Sequence, residues 1–217
     1  MINVLIGSAS GIGREIYKIY KNNGLDVLGI DKKESKYTDL VCDLSNDQNV
    51  GDLIEKLKTL KIQTLVFCAG IQLSNNDVDK IFKVNVLSFL KILNDINDNL
   101  NNSVICGISS IHAVSSNDEN ISYASSKSAL ETTVRGFATN KSSNSFYIIR
   151  LGATNTELLH ANVKDINKLE TQIPSGKIFD KHQVAKLVFI LNKEFKDLLN
   201  GSIIQLDNGV LSMLKTE

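Results

Sequence analysis

The sequence predicts a single α/β domain: a doubly wound, mostly parallel sheet of about seven strands with helices on both faces. Three observations lead there. Short apolar runs of strand length alternate with longer amphipathic segments along the whole of the 217 residues. Such alternation makes successive strands parallel, because each helix carries the chain back across a face of the sheet. The first 31 residues run strand, glycine turn, helix, strand, acid. No linker, shift of composition or internal repeat beyond the alternation divides the chain, so residues 1–217 read as one domain of a size that supports one core.

Residues 2–6, INVLI, are a buried-strand run followed at once by GSASGIG, Gly7 to Gly13. The next segment carries Ile16, Ile19 and Tyr20 at helical spacing and stops at Gly24. LDVLGI is the second strand and ends on Asp31. Glycines allow a tight turn and a close approach of backbone to a pyrophosphate, whose charge the N–H groups at the helix start can meet. A bare glycine triplet is commonly no more than a turn. Flanked by two strands and closed by an acid, it has the order that a nucleotide-binding βαβ unit requires.

YTDLVC reads as the third strand and leads into Asp43-Leu44, with Ser45 or Asn46 placed to cap a helix over 46–60. IQTLVF is the fourth strand, ending in Cys68-Ala69-Gly70. A helix over 77–99 contains Asn85, a residue mildly unfavourable in a helix interior, and fades into the polar cluster NDNLNNS. VICGISS is the fifth strand, and a helix over 121–140 ends near TNKSSNS. FYIIR is the sixth strand. Residues 157–179 have weak periodicity and hold the sole proline, Pro174, beside Ser175-Gly176; they read as a lid over a ligand or as a plain surface loop. HQVAKLVFILNKEF is an amphipathic helix, and GSIIQLDNG closes the sheet as a seventh strand.

The chemistry concentrates between Cys106 and Glu131. Tyr123 and Lys127 stand four residues apart in a helical segment, so phenol and ammonium share a face. A cation beside a phenol favours phenolate, so Lys127 is expected to lower the pKa of Tyr123 and suit it to proton transfer. The pair alone is a weak signal. Its context adds to it, since Ser110 ends a strand 13 residues before Tyr123, where open parallel sheets place ligand chemistry.

Ser110, thirteen residues, then Tyr123-x-x-x-Lys127 resembles the catalytic signature of the short-chain dehydrogenase/reductases. The glycine spacing G-x-x-x-G-x-G is similar to that of the family's short, non-extended branch, and the likeness runs from Gly7 to Gly209. It implies a Rossmann-like sheet and an NAD(P)-dependent oxidoreductase that interconverts a carbonyl and an alcohol. By the same resemblance Tyr123 is the general acid/base and Ser110 stabilises the reacting oxygen. Lys127 assists the tyrosine and holds a ribose, and Asn85 completes a water relay. Cofactor binding falls to Gly7, Ser10, Gly11, Ile12, Gly13, Asp31, Asp43, Leu44, Ala69, Gly70, Tyr123, Lys127, Gly152, Thr154 and Thr156. Phe67-Cys68 and Leu151 depart from the family, which usually has two asparagines and a proline there. Asp31 at the end of the second strand favours NAD over NADP. Ser10 supplies no cation for a 2′-phosphate, and Arg14 is expected along the helix surface. A homotetramer or dimer packed through helices 77–99 and 121–140 is also implied. Two rival readings stand beside it: a sugar-nucleotide epimerase or dehydratase, whose glycine spacing and large C-terminal region this chain lacks, and a non-catalytic dinucleotide sensor or partner-binding protein, which would usually have lost a catalytic residue.

Composition narrows the partners. Lys+Arg and Asp+Glu both total 24, which offers no excess of charge to nucleic acid or an anionic membrane. No apolar run approaches a membrane span, and the N-terminus reads as a strand, so a cytoplasmic protein acting on a small molecule is expected. Cys42, Cys68 and Cys106 each close an apolar run and read as buried thiols. The three histidines, His112, His160 and His182, give no metal-ligand spacing; His112, two residues past Ser110, either faces substrate or is a plain loop residue.

Overall fold

The computed structural model describes residues 1–140 and 143–213. Its strands are β1 (Ile2–Ile6), β2 (Val27–Asp31), β3 (Leu40–Val41), β4 (Ile62–Phe67), β5 (Val104–Ser110), β6 (Ser145–Leu151) and β7 (Ile203–Leu206). They form one sheet in the order β3-β2-β1-β4-β5-β6-β7, and every neighbouring pair is parallel. The helices are α1 (Gly11–Asn22), α2 (Asp47–Lys58), α3 (Val78–Phe82), α4 (Ser88–Ile96), α5 (Ile121–Ala138), α6 (Glu157–Asn162), α7 (Ile166–Thr171) and α8 (Lys181–Glu194).

A strand sends alternate side chains to opposite faces, and here each set meets its own core. Val4 and Ile6 of β1, Leu65 and Phe67 of β4, and Phe146 and Ile148 of β6 pack with residues of α2, α4 and α5. Leu5, Val66, Tyr147 and Ile149 turn the other way, onto α1 and α8. Each fully buried side chain of this kind stabilises by about 1.5–3 kcal/mol, so a wholly parallel sheet holds because both faces are covered. No helix among the described residues is long and apolar enough to cross a membrane.

The chain runs from β1 to β3 toward one edge, then returns beside β1 and proceeds from β4 to β7 toward the other. That reversal opens a crevice past the carboxyl ends of β1 and β4. The glycine turn is built for close approach there. Gly7 has φ +95°, and a Cβ on it would lie 2.5 Å from the Ala69 nitrogen; one on Gly13 would lie 1.9 Å from the Gly7 oxygen.

Three elements differ from the sequence expectation. The third strand shrinks to Leu40–Val41; just before it the Asp39 carboxylate accepts from Gly29 N at 2.7 Å and lies 3.3 Å from the Tyr17 hydroxyl, while the Tyr37 ring packs edge-on against Tyr17. These side-chain ties accompany the backbone bond from Asp39 N to Gly29 O at 2.8 Å, and the strand register with β2 begins at Leu40. The long helix expected over 77–99 is interrupted by a π-helical turn, Lys83–Leu87, centred on Asn85. Helix α5 stops at Ala138; Lys141 and Ser142 of its expected polar stop lie outside the described residues. Asn46 is the cap of α2, accepting from Asn49 N.

Candidate active site

A cleft of ≈ 1150 Å³ lies over the carboxyl ends of the central strands, and every expected site residue except Asn85 lines it. Ser110 comes from the end of β5, Tyr123 and Lys127 from adjacent turns of α5, and Gly152, Thr154 and Thr156 from the connection after β6. The Tyr123 phenol is buried, and burial pushes its pKa up to about 12; the Ser110 hydroxyl, within hydrogen-bonding reach, pulls the other way. The sequence expectation that Lys127 would lower this pKa is corrected: Ser110, not Lys127, is the group that lowers it, desolvation outweighs that hydroxyl, and the phenol holds its proton at neutral pH. Burial also draws the Lys127 ammonium down to about 8, opposed by Cys68 and Glu131. Its Nζ donates to the Ile108 oxygen at 2.9 Å. Gly70 leaves room for it, since a Cβ there would sit 3.3 Å from Nζ.

Asn85 lies beneath the cleft, fully buried. Its Oδ1 accepts from Ile71 N at 2.8 Å, and its Nδ2 donates to Ile71 O and Ser126 Oγ, both at 2.9 Å. Both amide protons are therefore engaged, and the side chain ties the connection after β4 to the π turn.

At the far side, Asp31 is held by two backbone donors, Ala9 N to Oδ2 and Lys33 N to Oδ1, each at 3.0 Å. Lys32 and Lys33 line the cleft beside it. The Asp43 carboxylate accepts from Ser45 N at 2.9 Å and Ser45 Oγ at 2.7 Å, which hold its pKa below the ordinary range. Leu44 is buried against this corner. Gly152 N–H is taken by Leu206 O at 2.7 Å, and Thr154 Oγ1 donates to Gly152 O at 3.1 Å. Thr156 caps α6, accepting from Leu159 N.

The donor set fits a dinucleotide. Gly11 N–H, at the start of the 12-residue helix α1, already binds an anion supplied by the chain, the Glu157 carboxylate, at 2.9 Å. A phosphate oxygen suits the same donor.

Sequence reasoning missed three participants, Glu157, Glu131 and the pairing of Arg14, and left His112 open. Arg14 does not run free along α1; it pairs with Glu15 and Glu157. Nothing local announces Glu157 on Gly11, 146 positions away. Glu131, one turn beyond Lys127 on the same face, accepts from Ser109 Oγ at 2.8 Å and forms a partly buried pair with Arg150 at 2.6 Å; the spacing 123, 127, 131 was a legible signal. His112 lines the cleft, its ring edge-on to Tyr123 with centroids 6.0 Å apart, so the substrate-facing alternative gains over a plain loop position. The Cys42 and Cys106 thiols are buried and pushed up to about 11 and about 12, while Cys68 borders the cleft.

A family model described as enoyl-(acyl carrier protein) reductase matches residues 7–211. The chain is similar to the 3-oxoacyl-[acyl-carrier-protein] reductase of Rickettsia felis, 26% identical over 239 residues that cover 96% of each protein. Among solved structures, a short chain dehydrogenase from Burkholderia cenocepacia in complex with NADP superposes with TM-score 0.86 at 20% identity, covering 96% of this chain and 97% of that one. The 3-alpha-hydroxysteroid dehydrogenase from a Pseudomonas species, complexed with NADH, gives 0.83 at 21% identity over 100% of both chains.

Proposed function

The chain belongs to the short-chain dehydrogenase/reductases, NAD(P)-dependent oxidoreductases of carbonyl and alcohol groups, and we propose that it acts on an uncharged, largely apolar carbonyl compound with NAD(H) as cofactor and Tyr123 as proton donor. The convergence of Ser110, Tyr123 and Lys127 at one point of the cleft carries the reading. A nicotinamide dinucleotide, when bound, supplies or accepts the hydride. In reduction, Tyr123, kept protonated by burial, gives its proton to the oxygen that becomes the alkoxide. Ser110 hydrogen-bonds the same oxygen and stabilises charge where it forms. Lys127 places a cation beneath the phenol and within reach of a ribose, and Asn85 serves as a positioning residue by holding Ile71. Asp31 accepts from the adenosine ribose hydroxyls, which favours NAD.

The substrate class follows from the wall over β5 and β6. Apart from Lys127, and from Glu157 turned onto Gly11, no acid, lysine or arginine lines that side among the described residues. Leu158, Leu159, Val163, Leu169 and Ile173 supply apolar surface, and His112 and Asn120 supply polar contacts near the tyrosine. Most of that surface lies in 157–179, which we read as a lid. Its two ends are joined, Asn155 N donating to Phe179 O and Phe179 N to Ala153 O, both at 2.8 Å.

Exposed Val78, Leu87 and Ile121 on the α3–α4 and α5 helices support a homo-oligomer, and sedimentation of the purified protein tests it. Three free thiols support a cytoplasmic setting. The deciding experiment is NADH oxidation with a panel of steroid ketones, 3-oxoacyl thioesters, enoyl thioesters and keto acids. Turnover confined to charged keto acids would reject the substrate class. Turnover of enoyl thioesters alone would favour the reaction named by the family model. Cofactor binding without turnover of any member would favour a sensor.

A further inference from the structure

We propose that Glu157 is a built-in competitor for the cofactor's diphosphate: its carboxylate holds the phosphate-binding start of α1 and is displaced when the cofactor arrives. The inference rests on reading the cleft as a dinucleotide site. Glu157 begins α6, the first element of the lid segment. Its Oε2 accepts from Gly11 N at 2.9 Å, and its Oε1 lies 3.1 Å from Arg14 Nη2 and 3.6 Å from Lys181 Nζ. A glycine-turn N–H, a guanidinium and an ammonium make the donor set that a diphosphate requires. One carboxylate thus occupies three groups from α1 and α8 together.

A diphosphate oxygen and the Glu157 carboxylate cannot share the Gly11 N–H, and two anions at that range repel. Burial raises the Glu157 pKa, but its own backbone N–H, Lys181, Arg14 and Gly11 N–H outweigh it and hold the group below the ordinary carboxylate range. The side chain is therefore ionised at neutral pH. It is also half-exposed, at 50%, so it can turn into water without unpacking the core. Once it does, Arg14 and Lys181 are released to face the phosphates. Because Glu157 opens the segment that carries Leu158 and Leu159, its displacement also links cofactor arrival to the position of the substrate wall.

The test is calorimetric titration of ADP and of adenosine into the wild type, Glu157→Gln and Glu157→Ala, with thermal unfolding confirming that each variant is folded. ADP carries the diphosphate and adenosine does not. Removing a self-occupied state raises the competent fraction, so both variants are expected to bind ADP about tenfold more tightly than the wild type, with adenosine affinity unchanged. Unchanged or weaker ADP binding in both variants overturns the proposal, and so does equal tightening of adenosine. A wild type that binds NADH while the variants show no gain for ADP defeats this inference alone. A wild type that binds neither ADP nor NADH defeats the dinucleotide reading along with it.

Discussion

Lys127 and Tyr123, one turn apart on α5, place the ammonium nitrogen 5.8 Å from the centroid of the phenol ring, with both groups buried. On the proposed reading the pair marks the reacting corner of the cleft, with the phenol as its proton carrier. Tyr123→Phe keeps the ring packing and removes only the hydroxyl. The variant is expected to fold and bind NADH while losing turnover by at least ~100-fold, the scale of a positioned proton donor. Steady-state assays on a confirmed substrate check this, and wild-type-like turnover would refute the role given to Tyr123.

The buried lysine also makes stability depend on pH. Its folded pKa of about 8 lies below the ordinary 10.5. Below pH 8 both folded and unfolded states carry the proton, and the folded state bears the burial cost. Between pH 8 and 10.5 the folded protein has released the proton and the unfolded chain has not. Stability relative to Lys127→Met is therefore expected to rise with pH across that window, by about 3 kcal/mol in all. Urea unfolding of both proteins at pH 7 and pH 10 measures the difference; a gap that stays constant or narrows contradicts it.

On the proposed reading, Asp31 selects NAD over NADP. Both its oxygens accept from backbone donors, which hold the carboxylate where a 2′-phosphate would meet it. Like charges ~4 Å apart repel by ~1 kcal/mol in water and ~4 kcal/mol near a protein surface, a preference for NADH of roughly ten- to a thousandfold. Lys32 and Lys33 line the same corner, and one of them turned toward the phosphate would offset part of it. Asp31→Ala is expected to shift selectivity toward NADPH. Fluorescence titration with both cofactors decides, and equal or tighter NADPH binding by the wild type reverses the assignment.

The segment 157–179 is expected to exchange its amide protons faster than the sheet in the cofactor-free protein and to slow when cofactor and substrate bind. It carries two six-residue helices, with no fully buried residue in either, and its ends are joined by the isolated Thr154–Phe179 bridge. Exchange that is equally slow with and without ligands would rule out a moving lid.

The sequence by itself determined whatever depends on local period and order. Alternating apolar runs require a sheet covered on both faces, and the glycine turn, strand and acid place Asp31 at a strand end. A four-residue spacing puts Tyr123 and Lys127 on one helical face. The tertiary structure decided the quantities that depend on burial and on distant partners. Tyr123 became a stronger holder of its proton, because desolvation is set by everything packed around the phenol and not by the lysine one turn away. Asn85 was claimed by Ile71 and Ser126, and the Asp39 carboxylate by Gly29 N. Glu157 came to rest on Gly11 because the connection after β6 returns over the start of α1. Periodicity reports which face of an element is buried; which polar groups meet there, and how dry they are, depends on contacts between residues far apart in the chain.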